Sequence, residues 1–297
     1  MPKHTILLPL VTSLLFAGSF IAGKYTTADL GPLTTSLLRY IVALVFLMSL
    51  AIAKRFSLTI GLPDLGKLVL LGLFGTVGYH YFFFSALRHT EVANTAIINA
   101  LSPIITALMA ALLLKERLSS RNYWGVAIAV VGALVLLTKG QMQNLLKFNM
   151  NLGDGLMLFA VISWAIYALL VKRLSEKYSG FCLFFYATLF GVVMLIGLAF
   201  TENWTWYINS ISMASFWSLI YMGAVASGVG YLLYTLSIGK IGPTRTSSFV
   251  YSLVPIFVAV LALLLFDEPI TAVMMISVAG ILLGLRLMMS PRASPET

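Results

Sequence analysis

Cysteine is almost absent from this chain, which has Cys182 and no other among its 297 residues. One thiol excludes a disulfide within the chain and any metal site built from several cysteines. Histidine is also scarce, and His4, His80 and His89 are widely spaced rather than clustered as metal ligands. The sequence has no phosphate-binding glycine loop and no serine, histidine and aspartate grouping. We therefore expect no enzyme, no ATP-driven pump, no metal site and no cofactor.

Charge is the second scarcity. Charged residues make up 10% of the chain and hydrophobic residues 60%, whereas a soluble domain has about 25% charged residues. The mean hydropathy is +0.98, which indicates that the lipid bilayer surrounds this protein. We assign the net charge of +9 to loops facing anionic lipid headgroups, and expect no nucleic-acid partner.

Hydrophobic residues fall into runs of roughly 20, the length that crosses the hydrocarbon core of a bilayer. No convincing cleavage site follows the first run, so we interpret it as a retained span. The connections are too short for a soluble domain. Ten spans are predicted, at residues 4–23, 33–53, 67–87, 93–114, 122–138, 153–172, 181–200, 214–236, 246–266 and 270–288.

Basic residues are unevenly divided between alternate connections. With a cytoplasmic N-terminus, Lys24, Arg88, Lys139 and Lys147 lie outside and Arg39 lies within a span, which leaves 14 of the 19 basic residues inside. An excess of Lys and Arg marks the cytoplasmic side of a membrane protein. We therefore predict a multi-pass protein of the plasma membrane, the inner membrane of a bacterium, with both termini in the cytoplasm.

One stretch of the chain occurs twice, at a constant offset of 152 residues. The matched pairs are Pro103 with Pro255, Ala107 with Ala259, Ala110 with Ala262, Glu116 with Glu268 and Gly132 with Gly284. Several matches in one register indicate an internal repeat. Because each repeat has five predicted spans, the second must be inverted in the membrane. We predict an all-α membrane protein with a first five-helix repeat at 1–140, a linker at 141–152 and a second, inverted five-helix repeat at 153–290.

Other motifs extend this pattern over nearly the whole chain, namely Arg39-Tyr40, Gly153-Asp154 and Trp164-Ala165. Together with the two Pro-to-Glu hinges, they resemble the EamA-type transporters of the drug/metabolite transporter superfamily. The resemblance implies ten helices in two inverted repeats around a central cavity that opens alternately to each side. It also implies export of small metabolites, amino acids among them, or of drug-like compounds. The family often has Trp where this chain has Phe16.

Two classes of function are open. An inverted repeat favours a secondary carrier for small organic solutes, and the resemblance implies that it exports small organic metabolites by alternating access. The alternative is a non-transporting membrane sensor or scaffold that uses the same bundle. No Asp or Glu lies in the middle of a span, so either His80 titrates during transport or the protein is an uncoupled facilitator. The expected partners are a small-molecule substrate and the lipid bilayer, and we expect a monomer.

Polar residues inside spans are the first candidates for a substrate site, because burying them in lipid is costly. His80 lies near the middle of a span, with Tyr79 and Phe83 within one helical turn. It either forms the wall of a cavity or is hydrogen-bonded between helices as a packing residue. Arg39 either snorkels outward or is a fixed structural charge bonded to helix ends, and we favour the structural role.

Prolines at matching positions of the two repeats predict a second set of candidates. Pro103 cannot donate to the carbonyl of Asn99, and Pro255 cannot donate to the carbonyl of Tyr251. A symmetric pair of broken helices would expose polar backbone at the midplane of the membrane, although both prolines could instead be packing kinks. The hinge residues Glu116 and Glu268 are interpreted as helix N-terminal charges or caps. The full predicted substrate-binding set is Phe16, Phe20, Tyr79, His80, Phe83, Asn99, Trp164, Tyr167, Tyr231 and Tyr251.

Overall fold

A computed structural model describes residues 3–114, 120–137, 140, 151–202, 211–234, 237 and 243–288. These residues form helices and connections, and none of them is in a strand. The α-helices are α1 (Lys3–Asp29), α2 (Pro32–Lys54), α3 (Leu65–Leu71), α4 (Tyr79–His89), α5 (Val92–Asn99), α6 (Ser102–Leu114), α7 (Ser120–Leu137), α8 (Leu152–Leu174), α9 (Gly180–Ala199), α10 (Met213–Ile220), α11 (Pro243–Phe266) and α12 (Ala272–Met288). Most of the predicted linker and the hinge residue Glu116 lie outside the described residues.

Two π-helical segments and one 3₁₀-helix complete the architecture. The π-helical segment Gly72–Gly78 joins α3 to α4, and the segment Tyr221–Gly230 continues α10. The 3₁₀-helix Leu62–Asp64 precedes α3. In an α-helical rod, a π-helical segment widens the turn and is frequent at functional sites.

Seven helical stretches of the described chain are long and apolar enough to cross a membrane. They are Leu7–Asp29, Pro32–Lys54, Leu62–His89, Val92–Ala110, Leu152–Leu174, Gly180–Ala199 and Met213–Tyr234, and three shorter apolar helices are Ser120–Leu136, Leu253–Phe266 and Ala272–Leu287. Together they occupy the positions of the ten predicted runs. The protein is therefore an all-helical, multi-pass membrane protein.

Two helices begin at carboxylates supplied from distant parts of the chain. Glu202 accepts hydrogen bonds from the backbone N–H groups of Leu33 and Thr34, at 3.0 and 2.9 Å. Glu268 accepts from the first two N–H groups of α5, at 3.0 and 3.2 Å. A carboxylate here satisfies unpaired donors and meets the positive end of the helix dipole. The interpretation of Glu268 as a helix N-terminal charge agrees with these contacts, and the helix that it caps is α5.

Glycines of the repeated motif bring α7 and α12 into close contact. A methyl group at Gly132 would lie 3.0 Å from the carbonyl oxygen of Ser277, and one at Gly284 would lie 2.4 Å from that of Gly125. The two contacts are related by the offset of 152, because Gly284 is the equivalent of Gly132 and Ser277 is the equivalent of Gly125. The later position in α7 contacts the earlier position in α12, so the two helices run antiparallel.

The two π-helical segments make a second matched pair of contacts. A methyl group at Gly72 would lie 3.1 Å from the carbonyl oxygen of Ala187 in α9, and one at Gly223 would lie 2.7 Å from that of Arg39 in α2. The matched residues are about 150 positions apart. Glycine in each π-helical segment thus allows a neighbouring helix to approach closely, and Arg39 and Ala187 occupy equivalent places.

The two proline-containing stretches differ, and the one in the first half of the chain is a broken helix. The helix α5 ends at Asn99 and α6 begins at Ser102, so the break directly precedes Pro103. In contrast, α11 is continuous and contains Pro255, and the predicted symmetric pair of breaks is therefore wrong. The side-chain oxygen of Asn99 accepts from the hydroxyl of Ser102 at 3.1 Å. The residue equivalent to Ser102 is Val254, which has no hydroxyl to support such a break.

Helices from the two halves of the chain pack on each other. α1 lies along α11, α4 lies along α8, and α2 contacts both α9 and the π-helical segment Tyr221–Gly230. The helices that pack in this way surround a space at the centre of the molecule, and residues from both halves line it.

Candidate functional site

The central space is a cavity of about 100 Å³. A single buried water needs only about 10–15 Å³, so this cavity has room for a small solute. All ten residues of the predicted substrate-binding set line it. They come from α1, α4, α5, α8 and α11, together with Tyr231, which follows the second π-helical segment. The structure thus brings together residues that lie up to 235 positions apart in the sequence.

His80 both lines this cavity and forms hydrogen bonds between helices. Its Nδ1 lies 3.1 Å from the carbonyl oxygen of Gly75, and both ring nitrogens lie 3.1 Å from the hydroxyl oxygen of Tyr40 on α2. A carbonyl oxygen can only accept, so Nδ1 carries the proton in that bond. Nε2 is then free to accept from the Tyr40 hydroxyl. The two alternatives considered from the sequence therefore hold together.

Asn99 and Tyr251, which are equivalent residues of the two repeats, each bond an aromatic side chain in the cavity. The Tyr79 hydroxyl donates to Asn99 Oδ1 at 3.4 Å, and Trp164 Nε1 donates to the Tyr251 hydroxyl at 3.0 Å. The rings of Tyr79 and Trp164 lie 5.1 Å apart. These contacts connect polar groups from both halves of the chain across the cavity.

Aromatic rings form much of the remaining wall. Phe83 stacks parallel to Tyr79 with centroids 5.8 Å apart, and its ring meets that of Phe20 edge-on at 4.9 Å. Phe16 lies 6.2 Å from Tyr231. The predicted proximity of Tyr79, His80 and Phe83 is confirmed by these contacts and by the 4.7 Å between the rings of Tyr79 and His80. The wall thus suits an apolar body.

Arg39 lines the same cavity, although the sequence analysis assigned it a structural role at helix ends. The side chain is 8% exposed. Its Nη1 donates to Ser19 Oγ at 3.1 Å, and its Nε and Nη2 donate to Ser227 Oγ at 3.2 and 3.0 Å. Arg39 therefore bonds hydroxyl groups of two neighbouring segments. The prediction that it bonds helix ends is wrong. One charged residue within a predicted span was the available signal.

Several other polar residues of the wall were missed by the sequence analysis. They are Ser19, Tyr40, Thr76 and Ser227. Serine and threonine inside a helix often bond their own backbone, so the type of these residues alone did not single them out. The residues described as lining the cavity include no Asp or Glu, which makes Arg39 its one fixed charge. Within the described part of the chain, no group of three or more His, Cys, Asp or Glu could hold a metal ion.

Two stretches of the chain match one family of known proteins. The model of the EamA-like transporter family matches residues 3–138 and, a second time, residues 151–290. The chain belongs to the EamA-like transporter family. This EamA-like protein is accordingly a membrane transporter and not an enzyme, and its surroundings are a lipid bilayer.

Relatives of this EamA-like protein cover most of its length. The uncharacterized transporter YyaM of Bacillus subtilis is 25% identical over 95% of this chain and 93% of its own. An S-adenosylmethionine/S-adenosylhomocysteine transporter of Chlamydia trachomatis is 25% identical over 95% of this chain and 88% of its own. A solved crystal structure covers 97% of this chain with a TM-score of 0.64 and 18% identity, with 96% of its own chain matched. That likeness shows a shared fold.

Proposed function

We propose that this EamA-like protein is a secondary carrier that exports small organic metabolites by alternating access through the central cavity. The observation that carries the proposal is the cavity itself, which is buried between helices of both halves and lined by aromatic and hydrogen-bonding groups. Substrate sites of repeat-built carriers lie near the midplane at the interface of the repeats. The chain has no ATP-binding motif, so transport follows solute gradients or is coupled to them.

The proposed architecture is ten spans in two inverted five-helix repeats, residues 1–140 and 153–290, joined by the linker 141–152. The antiparallel contact of α7 with α12 supports this, because a two-fold axis in the membrane plane reverses the direction of a helix. The glycine contacts that repeat at an offset of 152 support the same axis. Both termini face the cytoplasm, and the protein resides as a monomer in the plasma membrane, which in a bacterium is the inner membrane.

We assign binding roles to the two kinds of wall. Aromatic side chains hold the apolar body of the solute, with Phe16, Phe20, Phe83, Tyr167 and Tyr231 among them. Polar atoms of Tyr79, His80, Asn99, Trp164 and Tyr251 orient its polar groups. Most of these atoms already bond one another, so a solute replaces protein contacts as it enters, which makes binding selective for solutes that restore them.

Export is the proposed direction, and names of relatives support small polar metabolites as cargo. A protein of Streptantibioticus cattleyicolor named "Probable terminal-alkyne amino-acid exporter" is 24% identical over 79% of this chain and 77% of its own. The Chlamydia relative is named as a transporter of S-adenosylmethionine and S-adenosylhomocysteine.

Flux through proteoliposomes tests the proposal, with a pair of tryptophan variants as a matched control. Trp164 lines the cavity, while Trp217 is 61% exposed on α10. Vesicles that contain the purified protein are loaded with a mixed metabolite extract. They should release at least one small solute faster than protein-free vesicles loaded with the same extract. Trp164→Leu should reduce that flux at least tenfold, and Trp217→Leu should leave it unchanged. Ligand binding without flux of any solute would instead establish the non-transporting sensor or scaffold.

A further inference from the structure

Arg39 carries a buried positive charge, and the described residues supply no negative partner for it. The described residues place no carboxylate within 4.0 Å of its guanidinium. The rings of Tyr40 and Phe84 lie 5.6 and 5.9 Å from its central carbon, which compensates only part of a charge. A buried charge without a counter-ion is costly in a protein and more so within a membrane. The site therefore favours an occupant that brings the missing charge.

Hydrogen-bond capacity around Arg39 is also incomplete. A guanidinium has five N–H groups, and its bonds are two to Ser227, one to Ser19 and one long contact of 3.9 Å to the sulfur of Met222. Among the described residues, at least one N–H has no acceptor. The hydroxyls of Ser19 and Ser227 accept from Arg39, and no described acceptor takes a hydrogen bond from either of them. The cluster therefore presents unused donors beside the cavity, and all three residues line it.

We propose that the central cavity binds an organic anion whose carboxylate pairs with Arg39 and accepts from Ser19 and Ser227. This inference rests on the proposed carrier function and names the substrate class. A carboxylate has two oxygens and about four acceptor positions, so it fits a planar guanidinium flanked by hydroxyl donors. The rest of the molecule lies against the aromatic wall.

A substrate with a net positive charge is disfavoured by the same cavity. The residues described as lining it include no Asp or Glu that could pair with an ammonium group, and Arg39 repels a cation. An amino acid would find an ionic partner for its carboxylate only. The cavity therefore prefers an acid to the corresponding uncharged amide, and an amide to the corresponding amine.

Matched ligands test this preference without any change to the protein. The probes are phenylacetate, phenylacetamide and phenethylamine, together with hexanoate, hexanamide and hexylamine. Binding to the purified full chain in detergent is measured from the shift in thermal unfolding at increasing ligand concentration. We expect each acid to bind at least tenfold more tightly than its amide, and each amine more weakly than its amide. Equal affinity of acid and amide in both series overturns the proposal.

Variants then locate the preference at Arg39. Arg39→Gln should bring the acid-to-amide affinity ratio close to one, and Arg39→Lys should retain part of the ratio because it keeps the charge and loses the planar fork. The control is Arg286→Gln, an exposed arginine of α12, which should keep the parent ratio. An unchanged ratio in Arg39→Gln overturns the assignment. If Arg39→Gln does not fold, the comparison is made between the parent and Arg39→Lys. An acid-to-amide affinity ratio that is the same in both overturns the assignment.

Two further experiments distinguish a carboxylate site from a site for any anion, and the substrate class from the carrier function. All titrations are repeated with chloride replaced by sulfate, and stabilisation by an inorganic anion alone, without an effect of either acid, overturns the carboxylate assignment. In vesicles, equal flux of acid and amide overturns the substrate class and leaves the carrier function intact. An acid preference in binding, without flux of any solute, overturns the carrier function and leaves the anion site as an observation on a sensor.

Discussion

Replacing Gly284 by Ala tests the packing that relates the two halves of the chain. An added methyl group would lie 2.4 Å from the carbonyl oxygen of Gly125, whereas ordinary contacts begin at 3.4 Å. The backbone of α7 must therefore withdraw by about 1 Å or α12 must tilt away. Overpacking of this kind costs roughly 1–3 kcal/mol, while the change from Gly to Ala within a helix contributes about 1 kcal/mol of stability.

Two other glycines isolate the packing cost. A methyl group at Gly155 on α8 or at Gly197 on α9 would meet no atom within 4 Å, so Ala at these positions changes helix propensity alone. We expect Gly284→Ala to be less stable than either control by about 1–3 kcal/mol. The same change at Gly132 should have a smaller effect, because its methyl group would lie 3.0 Å from the nearest atoms.

The assay is unfolding of the purified protein in mixed micelles with increasing sodium dodecyl sulfate, followed by far-ultraviolet circular dichroism. The order of stability should be Gly155→Ala and Gly197→Ala, then Gly132→Ala, then Gly284→Ala. If Gly284→Ala were as stable as the two controls, α12 would not lie against α7 as described. The symmetry argument for the inverted repeat would then lose its main support.

Topology and His80 supply the remaining predictions. In a Cys182→Ala background, Ser120→Cys and Thr271→Cys place thiols at exposed helix ends, and only Thr271→Cys should react with an impermeant reagent from outside. Equal labelling of both would contradict the inverted repeat. His80→Gln can still donate to the Gly75 carbonyl and should keep much of the transport activity, whereas His80→Ala should lose most of it and about 1–3 kcal/mol of stability. Parent-like transport by both from pH 5 to 8 would make His80 a packing residue.

The cavity wall was predictable to the extent that it depends on residue type within a span. Histidine and asparagine are costly against lipid tails, so His80 and Asn99 stood out before any contact was known. Spacing along one helix placed Tyr79 and Phe83 beside His80. In each case, one residue and its own helix contained enough information.

What the sequence did not reveal depends on contacts between helices. Ser19 and Ser227 are ordinary helix residues until Arg39 is seen to bond both of them. The continuity of the helix at Pro255 depends on its neighbours too, because a lost backbone bond breaks a helix only where other groups take over its partners. The rotation of each helix about its axis decides these matters, and hydrophobic runs inside a membrane specify it weakly.

Asymmetry of charge between matched positions of the two halves is the feature that links fold to mechanism. The equivalent of Arg39 is Ala187, which has no charge. The backbone carbonyl of Ala187 accepts a hydrogen bond from Thr76 at 3.0 Å, whereas the side chain of Arg39 donates to Ser227. Arg39 thus bonds Ser19 within its own half and Ser227 in the other half. If the halves move apart during alternating access, the bonds to Ser227 break while the bond to Ser19 persists. In the proposed carrier, an anion on Arg39 would replace the lost acceptor, so that binding of the solute and separation of the halves favour each other.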